Sequence, residues 1–377
     1  MKKNIANSSR RTILKAITAG CALPFLPACN LFNEQQKQIW LSAAGSTTDN
    51  YALAWSSPNN HSKHHITGFR GHGLAQHINK PNQAVMVSRR PGNQGVVFDS
   101  LRQSEIHTFN SPKHLFMEGH ACFDQAGKTL FCTESNKQTQ LGVITARETS
   151  TYTLNKEFYS GGVGPHELLN HPTIPDTLII ANGGLIKNEA GKITNGSTMA
   201  SNISFLNIVT GEVTQQFRVK ENKASLRHID VSHDGIIAVA MQVQRPFCNH
   251  QRLTSLTALI KDKKLIELST PIELLSKMQD YVGSVRINNK YRTAAFTSPR
   301  GNLALFWNID TGDFIGQHYF HNVCGLSVSA DEEYFVMSNS VGKIRQVHSK
   351  TLIEQRDLRQ YHPEHQWDNH LLTQSPT

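Results

Sequence analysis

Cysteine is scarce in this chain. The 377 residues include six, and no two of them stand as a CxxC pair, which excludes a thioredoxin-type redox motif and a zinc knuckle. Long apolar runs are also missing. The modest apolar stretch near the N-terminus is interrupted by Gly20, Pro24 and Pro27, and is too short to span a bilayer as a stable helix. A 3.6-residue periodicity is found only in the short stretch "PIELLSKMQDYV" at 271–282. No run of Lys and Arg with interleaved aromatics occurs, and the formal charge of +9 is misleading. Lys2, Lys3, Arg10, Arg11 and Lys15 precede the first acid, Glu34, so residues 30 onward carry 33 basic and 29 acidic groups, or +4. Nucleic acid is therefore not an expected partner. Ser284 and Ser298 lack a nucleophile-elbow context, and no catalytic triad is visible.

The excess charge at the start has its own meaning. "SSRRTILKAITAGCALPFLPAC" joins a twin arginine to a weakly apolar segment and then to small residues, the pattern of twin-arginine export across the bacterial inner membrane. Residues 1–29 are expected to be an export signal, 30–38 a linker and 39–377 the folded domain, in the periplasm. "LPAC" resembles a lipoprotein box with an unusual proline, which leaves a free form and a lipid anchor at Cys29 both open. Cys122, Cys132, Cys248 and Cys324 lie in the expected mature chain, and the periplasm permits disulfides. Cys122 and Cys132 flank a tight turn. They either face each other across a hairpin or are small buried hydrophobes.

What the sequence has in abundance is short β-rich runs. "AVMV", "TLFCT", "TLIIAN", "IIAVAMQV", "TAAFT" and "YFVMSN" are separated by Gly, Asn, Asp and Pro clusters. They belong to a repeat. "CFDQAGKTLFCT" (122–133), "IDVSHDGIIAVA" (229–240) and "LSVSADEEYFVM" (326–337) align as strand, polar turn and second strand, with looser copies elsewhere. The strand starts near 72, 120, 166, 228, 284, 325 and 370 are spaced by 48, 46, 62, 56, 41 and 45 residues. That is about the 40–50 residues of a four-stranded propeller blade. The longer gaps leave room for insertions around 185–200 and 245–280. Only one strand fits after His370, whereas three precede His72: "IWLSAAG", "YALAWSS" and "HHITGF". The expected fold is all-β: a seven-bladed β-propeller of four-stranded blades, one blade being closed by both ends of the chain, which leaves no open sheet edge. A monomer is expected.

A propeller gives the histidines meaning. In "FRGHG", "MEGHACFD", "VGPHELLN", "SLRHIDVS" and "WDNHLL", a histidine occupies the same point of the repeat, at the start of the channel-lining strand. His72, His120, His166, His228 and His370 thus come from five blades that are neighbours in the ring. Converging neutral imidazoles suit iron, copper or zinc. Glu118, Glu167 and Asp368 are placed to ligate or to orient the rings. Arg70 and Arg227 precede two of the histidines, and the second-strand turns bring Arg89, Arg90 and Arg300 to the same rim. Two other roles compete: imidazoles that hold loops by hydrogen bonds, and a His/Arg site for a carboxylate or phosphate. "HSKHH" (61–65) fits an exposed outer strand better than a metal site.

Seven motifs in order, "FRGHGLAQH", "GHACFDQAGKTLFCTES", "GVGPHELL…LIIANGGL", "LRHIDVS…GIIAVAMQ", "YVGSVR…AAFTSPRGN", "VCGLSVS" and "WDNHLL", resemble the bacterial domain-of-unknown-function family 1513 over about residues 40–377. The resemblance implies an exported propeller of the WD/YVTN type with no established activity. It brings no catalytic residues to carry over. The family's gene neighbours, imelysin-like and di-haem peroxidase-like, imply periplasmic iron handling and a partner of imelysin-like or haem-containing type. The reading that follows is a propeller binding a metal or metal-linked ligand at its histidine face. The rivals are a scaffold that docks such partners and a metal-dependent hydrolase or lactonase-like enzyme.

Overall fold

A computed structural model describes residues 38–188, 191–221, 223–248 and 255–375. The export signal, Cys29 and most of the expected linker lie outside the described residues. Gln38 is described; it is buried and its Oε1 accepts a hydrogen bond from the Ala330 backbone N–H at 3.0 Å.

The strands form seven separate four-stranded antiparallel sheets, each a blade. Blades 1 to 6 run in chain order. Their innermost strands are Gly71–Gln76, Leu115–Phe123, Pro165–Asn170, Ala224–Val231, Ser284–Asn288 and Val323–Val328. Blade 7 is composite. Its innermost strand, Leu372–Gln374, pairs with Ile39–Ala44 through Ile39↔Gln374, Trp40↔Thr373 and Leu41↔Leu372, and Ala52–Ser56 and Ser62–Ile66 follow outward. The fold expected from the repeat is the one observed, and its ring is closed by hydrogen bonds between the two ends of the domain.

Burial explains the sequence pattern. A middle strand is covered on both faces by neighbouring blades, so Thr177–Asn182 and Thr293–Ser298 are buried at every position and read as continuous runs. An outermost strand has a wet face, so Phe314–Tyr319 alternates half-buried and exposed. Apolar clusters fill the wedges between blades; one joins Ile203 and Phe205 of blade 3 to Val239 of blade 4 and Phe296 of blade 5. The two long gaps hold insertions, one at 183–201 and others around 245–256 and 268–283. The last includes the helix Ile272–Lys277 within the stretch read as helical. "HSKHH" falls on the outermost strand of blade 7.

The alternative of a Cys122–Cys132 disulfide is corrected. Both thiols are free, as are Cys248 and Cys324. In the hairpin Cys122 pairs with Phe131 and Cys132 with Ala121, an offset of one residue. Because side chains alternate, the two sulfurs point to opposite faces of the sheet. Cys122 packs toward blade 3 with Leu168, and Cys132 toward blade 1 with Val97. Burial pushes the Cys132 thiol up to about 12.

Candidate metal centre

Each histidine-bearing inner strand is irregular where the histidine sits. The register with the second strand slips between Gly71 and Leu74, between Met117 and Ala121, between Pro165 and Leu168, and between Leu226 and His228. Such bulges twist the strand and re-aim its side chains. Blade 4 shows the effect: Leu226 pairs with Met241 and His228 with Ala240, which leaves Arg227 as the extra residue. Glycine permits the crowding at the axis. A Cβ on Gly73 would lie 2.6 Å from the Gly119 carbonyl and 2.7 Å from His120 Cδ2, and one on Gly119 would lie 2.8 Å from His72 Cδ2. Gly119 also has φ +119°, a conformation that disfavours any side chain.

The five imidazoles converge. His72, His120, His166, His228 and His370 are all buried, and ring centroids of 120–166, 120–370 and 166–228 lie 4.6, 4.5 and 4.6 Å apart. Nε2 of His120 faces Nε2 of His370 at 2.9 Å, and Nε2 of His166 faces Nε2 of His228 at 3.4 Å. Two overlapping sets have all their donor atoms within 4.8 Å of one another: His120, Glu167, His228 and His370, and His72, His120 and His166. His120 belongs to both. Nδ1 of His72, His120 and His228 is buried without a well-formed hydrogen bond.

The rings are held neutral. Burial lowers the pKa of His72 to about 4, against the pull of Asp368. Burial also drives His120, His166 and His370 well below the ordinary imidazole value, and lowers His228. Two carboxylates stand behind the rings: Asp368 Oδ1 is 3.4 Å from His72 Nδ1, and Glu167 Oε2 is 3.4 Å from His228 Nδ1. Glu167 Oε2 also accepts the Ile229 N–H at 2.9 Å. This is the placement that turns Nδ1 into the protonated nitrogen and frees Nε2 as a ligand. Burial opposes ionisation of Asp368, yet His72 and Arg89, the latter at 3.2 Å, hold it below the usual carboxylate range.

His166 differs. Its Nδ1 accepts from Arg227 Nη2 at 3.4 Å, which places the neutral ring's proton on Nε2, facing His228. Of the five it is the least suited to ligate through Nε2.

The arginines and carboxylates expected at the rim divide into two groups. Arg89 pairs with Asp368, and Arg90 with Glu118 at 2.9 Å. Glu118 also accepts from Ser135 Oγ at 2.6 Å, so it is tied to the rim and not to the imidazoles. Arg227 reaches the cluster itself. Arg70 and Arg300 are not brought to it. Arg70 precedes its strand and is exposed, whereas Arg300 stacks on the Tyr281 ring at 4.6 Å and donates to the Gln279 carbonyl.

Blades 5 and 6 send no histidine. Blade 6 repeats the bulge, between Val323 and Leu326, but carries Cys324 there; burial pushes that thiol up to about 12, and its Sγ lies 3.4 Å from the Trp367 carbonyl. Blade 5 contributes Arg286, 3.9 Å from Glu167, which the sequence reading missed. It stands on an inner strand already identified, two residues into "SVRIN", so the repeat alignment held the signal. Below the rings a space of about 340 Å³ reaches His120, His370 and Glu167 and is lined by Arg286 and Asp230.

A search of curated proteins returns no match. Among solved structures the chain is similar to Kuenenia stuttgartiensis hydrazine synthase, with a TM-score of 0.60 and 13% identity over 78% of this chain and 88% of that one, a likeness of fold alone. A family model matches residues 65–374, from the outer strand of blade 7 through every histidine of the cluster to the closing strand, and the chain belongs to that family, described as "Protein of unknown function (DUF1513)".

Proposed function

We propose that this propeller binds a borderline transition-metal ion at the centre of its ring, with iron, copper and zinc as the candidates. The observation that carries the reading is the pair His120 and His370, whose Nε2 atoms face each other at 2.9 Å within a buried group of neutral imidazoles. A purely loop-holding role would bond each ring to a group of a neighbouring loop. Here Nδ1 of His120 has no partner, and Nδ1 of His72 and His228 is backed by carboxylates at 3.4 Å. The ligands favoured are His120, His228 and His370, with His72 beside them and Glu167 and Asp368 orienting rings. The space below the cluster supports an open position on the ion rather than a closed structural site.

The reading includes the compartment. Arg10 and Arg11 support export of a folded protein, and periplasmic iron handling, alone or with an imelysin-like or haem-containing partner, is the role that fits the family. The test is elemental analysis of protein purified from the periplasm, followed by calorimetric titration with copper, zinc and ferrous iron. Bound metal near one equivalent supports the proposal; protein that is metal-free as isolated and shows no micromolar binding removes it. Lysine at both positions 10 and 11 is expected to hold the chain in the cytoplasm, and normal export of that variant would remove the twin-arginine assignment.

A further inference from the structure

The space of about 340 Å³ below the rings is lined by a guanidinium whose donors are mostly free, that of Arg286. The amides on the same wall are engaged: Gln76 and Asn170 donate to the Pro81 and Phe123 carbonyls. Arg286 Nη1 donates to the Val285 carbonyl at 3.0 Å. Among the described residues its Nε and Nη2 have no hydrogen-bond partner. The side chain is 22% exposed, and neither nitrogen is occluded. The carboxylate beside it is that of Glu167, whose Oε1 is 3.9 Å from Nη1, too far for a hydrogen bond. Glu167 Oε2 is already engaged by the Ile229 N–H and stands against His228 Nδ1. Glu167 also belongs to the donor set of His120, His228 and His370. His120, His370, Glu167 and Arg286 all line this one space, so the free guanidinium lies on the open side of the donor set.

We propose that this space takes a short-chain carboxylate together with the metal. One carboxylate oxygen fills the ion's open position, the other accepts from the free donors of Arg286, and the apolar body lies against Leu74, Leu168 and Leu372. The inference rests on the metal reading. The two oxygens suit the planar fork of an arginine, and the apolar wall favours an anion with a carbon chain over carbonate or chloride. Charge makes the two ligands interdependent. Without an ion the space is faced by two carboxylates, Glu167 and Asp230, the second accepting from the Ile287 N–H at 2.6 Å, against one guanidinium. A further anion is then repelled. A divalent cation reverses the balance. Metal and carboxylate must therefore raise each other's affinity by the same factor.

The experiment is calorimetric titration of metal-free protein with zinc in chloride buffer, with and without saturating butyrate. Butyrate is also titrated into the metal-free and the cobalt(II)-loaded protein, the latter followed by visible absorption. Butyrate is expected to tighten zinc binding at least tenfold, to alter the cobalt spectrum and to leave the metal-free protein unbound. Arg286 gives the ion no donor atom, so Arg286→Gln and Arg286→Lys are expected to bind zinc in chloride. In both, the butyrate effect is expected to fall below threefold; the lysine keeps the charge, and with it the fold, but not the fork. Zinc affinity indifferent to butyrate, an unaltered cobalt spectrum, equal butyrate binding by metal-free protein, or a full butyrate effect in Arg286→Lys overturns the proposal and leaves the metal reading standing. No uptake of zinc or cobalt by the parent in either buffer removes the metal reading and this inference with it.

Discussion

His120 and His370, separated by 250 residues in the chain, meet nitrogen to nitrogen at 2.9 Å on the axis of the ring. One comes from the second blade and the other from the segment leading into the closing strand. His120 also belongs to both sets of converging donors. His120→Ala is therefore expected to lower metal affinity by more than 100-fold, and His166→Ala, whose Nδ1 already accepts from Arg227, by less than tenfold. Titration of each variant beside the parent checks the order. Equal losses would show that His166 turns to ligate.

The neutral cluster makes the metal-free fold acid-sensitive. His72 has a folded pKa of about 4 against 6.5 in the unfolded chain. The unfolded state therefore binds the proton first as pH falls, and the stabilisation present above pH 6.5 is lost progressively down to pH 4. For His72 alone this amounts to about 3 kcal/mol, and four more imidazoles are shifted the same way. Metal-free protein is expected to show a steep drop in melting temperature between pH 6.5 and 5, moved to lower pH by saturating metal. A flat profile would mean that the rings are protonated in the fold.

Gly73→Ala tests the packing of the centre. The new methyl would lie 2.7 Å from His120 Cδ2 and 2.6 Å from the Gly119 carbonyl. Overpacking of this kind costs about 1–3 kcal/mol. The variant is expected to fold with a lowered melting temperature and to lose metal binding because His120 is displaced. Undiminished affinity would show that His120 is not a ligand.

Ring closure predicts that deletion of 366–377 is severe. It removes the pairing Ile39↔Gln374 to Leu41↔Leu372, the bonds Gly45 N–H to Gln366 O and Asp368 N–H to Ala43 O, and His370 itself. Each buried hydrogen bond left unmade costs about 1–3 kcal/mol, against a total stability of about 5–15 kcal/mol. Thermal melts and size-exclusion chromatography are expected to show a far lower melting temperature or aggregation. An unchanged melting temperature would mean that closure adds nothing to stability.

The blades were legible because their strands are short, alternate or fully apolar, and recur at near-constant spacing, and the histidines because they occupy one point of that recurrence. Three features were not legible. A one-residue offset decides whether Cys122 and Cys132 share a face, and the sequence does not carry it. The bulge that admits Arg227 to the axis does the same for no residue before Gly71, so Arg70 stays outside. Arg300 is close to the rim in the chain but is captured by Tyr281, a contact made by an insertion whose path no repeat predicts.

The composite blade also sets an order in time. A ribosome releases His72, His120, His166 and His228 in turn, but His370 only after the sixth blade. The inner strand that carries the chain away from it pairs with Ile39–Ala44, made at the other end of synthesis. Until that strand docks, the cluster has four rings and an open side, and the wedge beside it exposes Trp40 and Leu41. Arrival of the fifth imidazole and closure of the seventh blade are therefore one event.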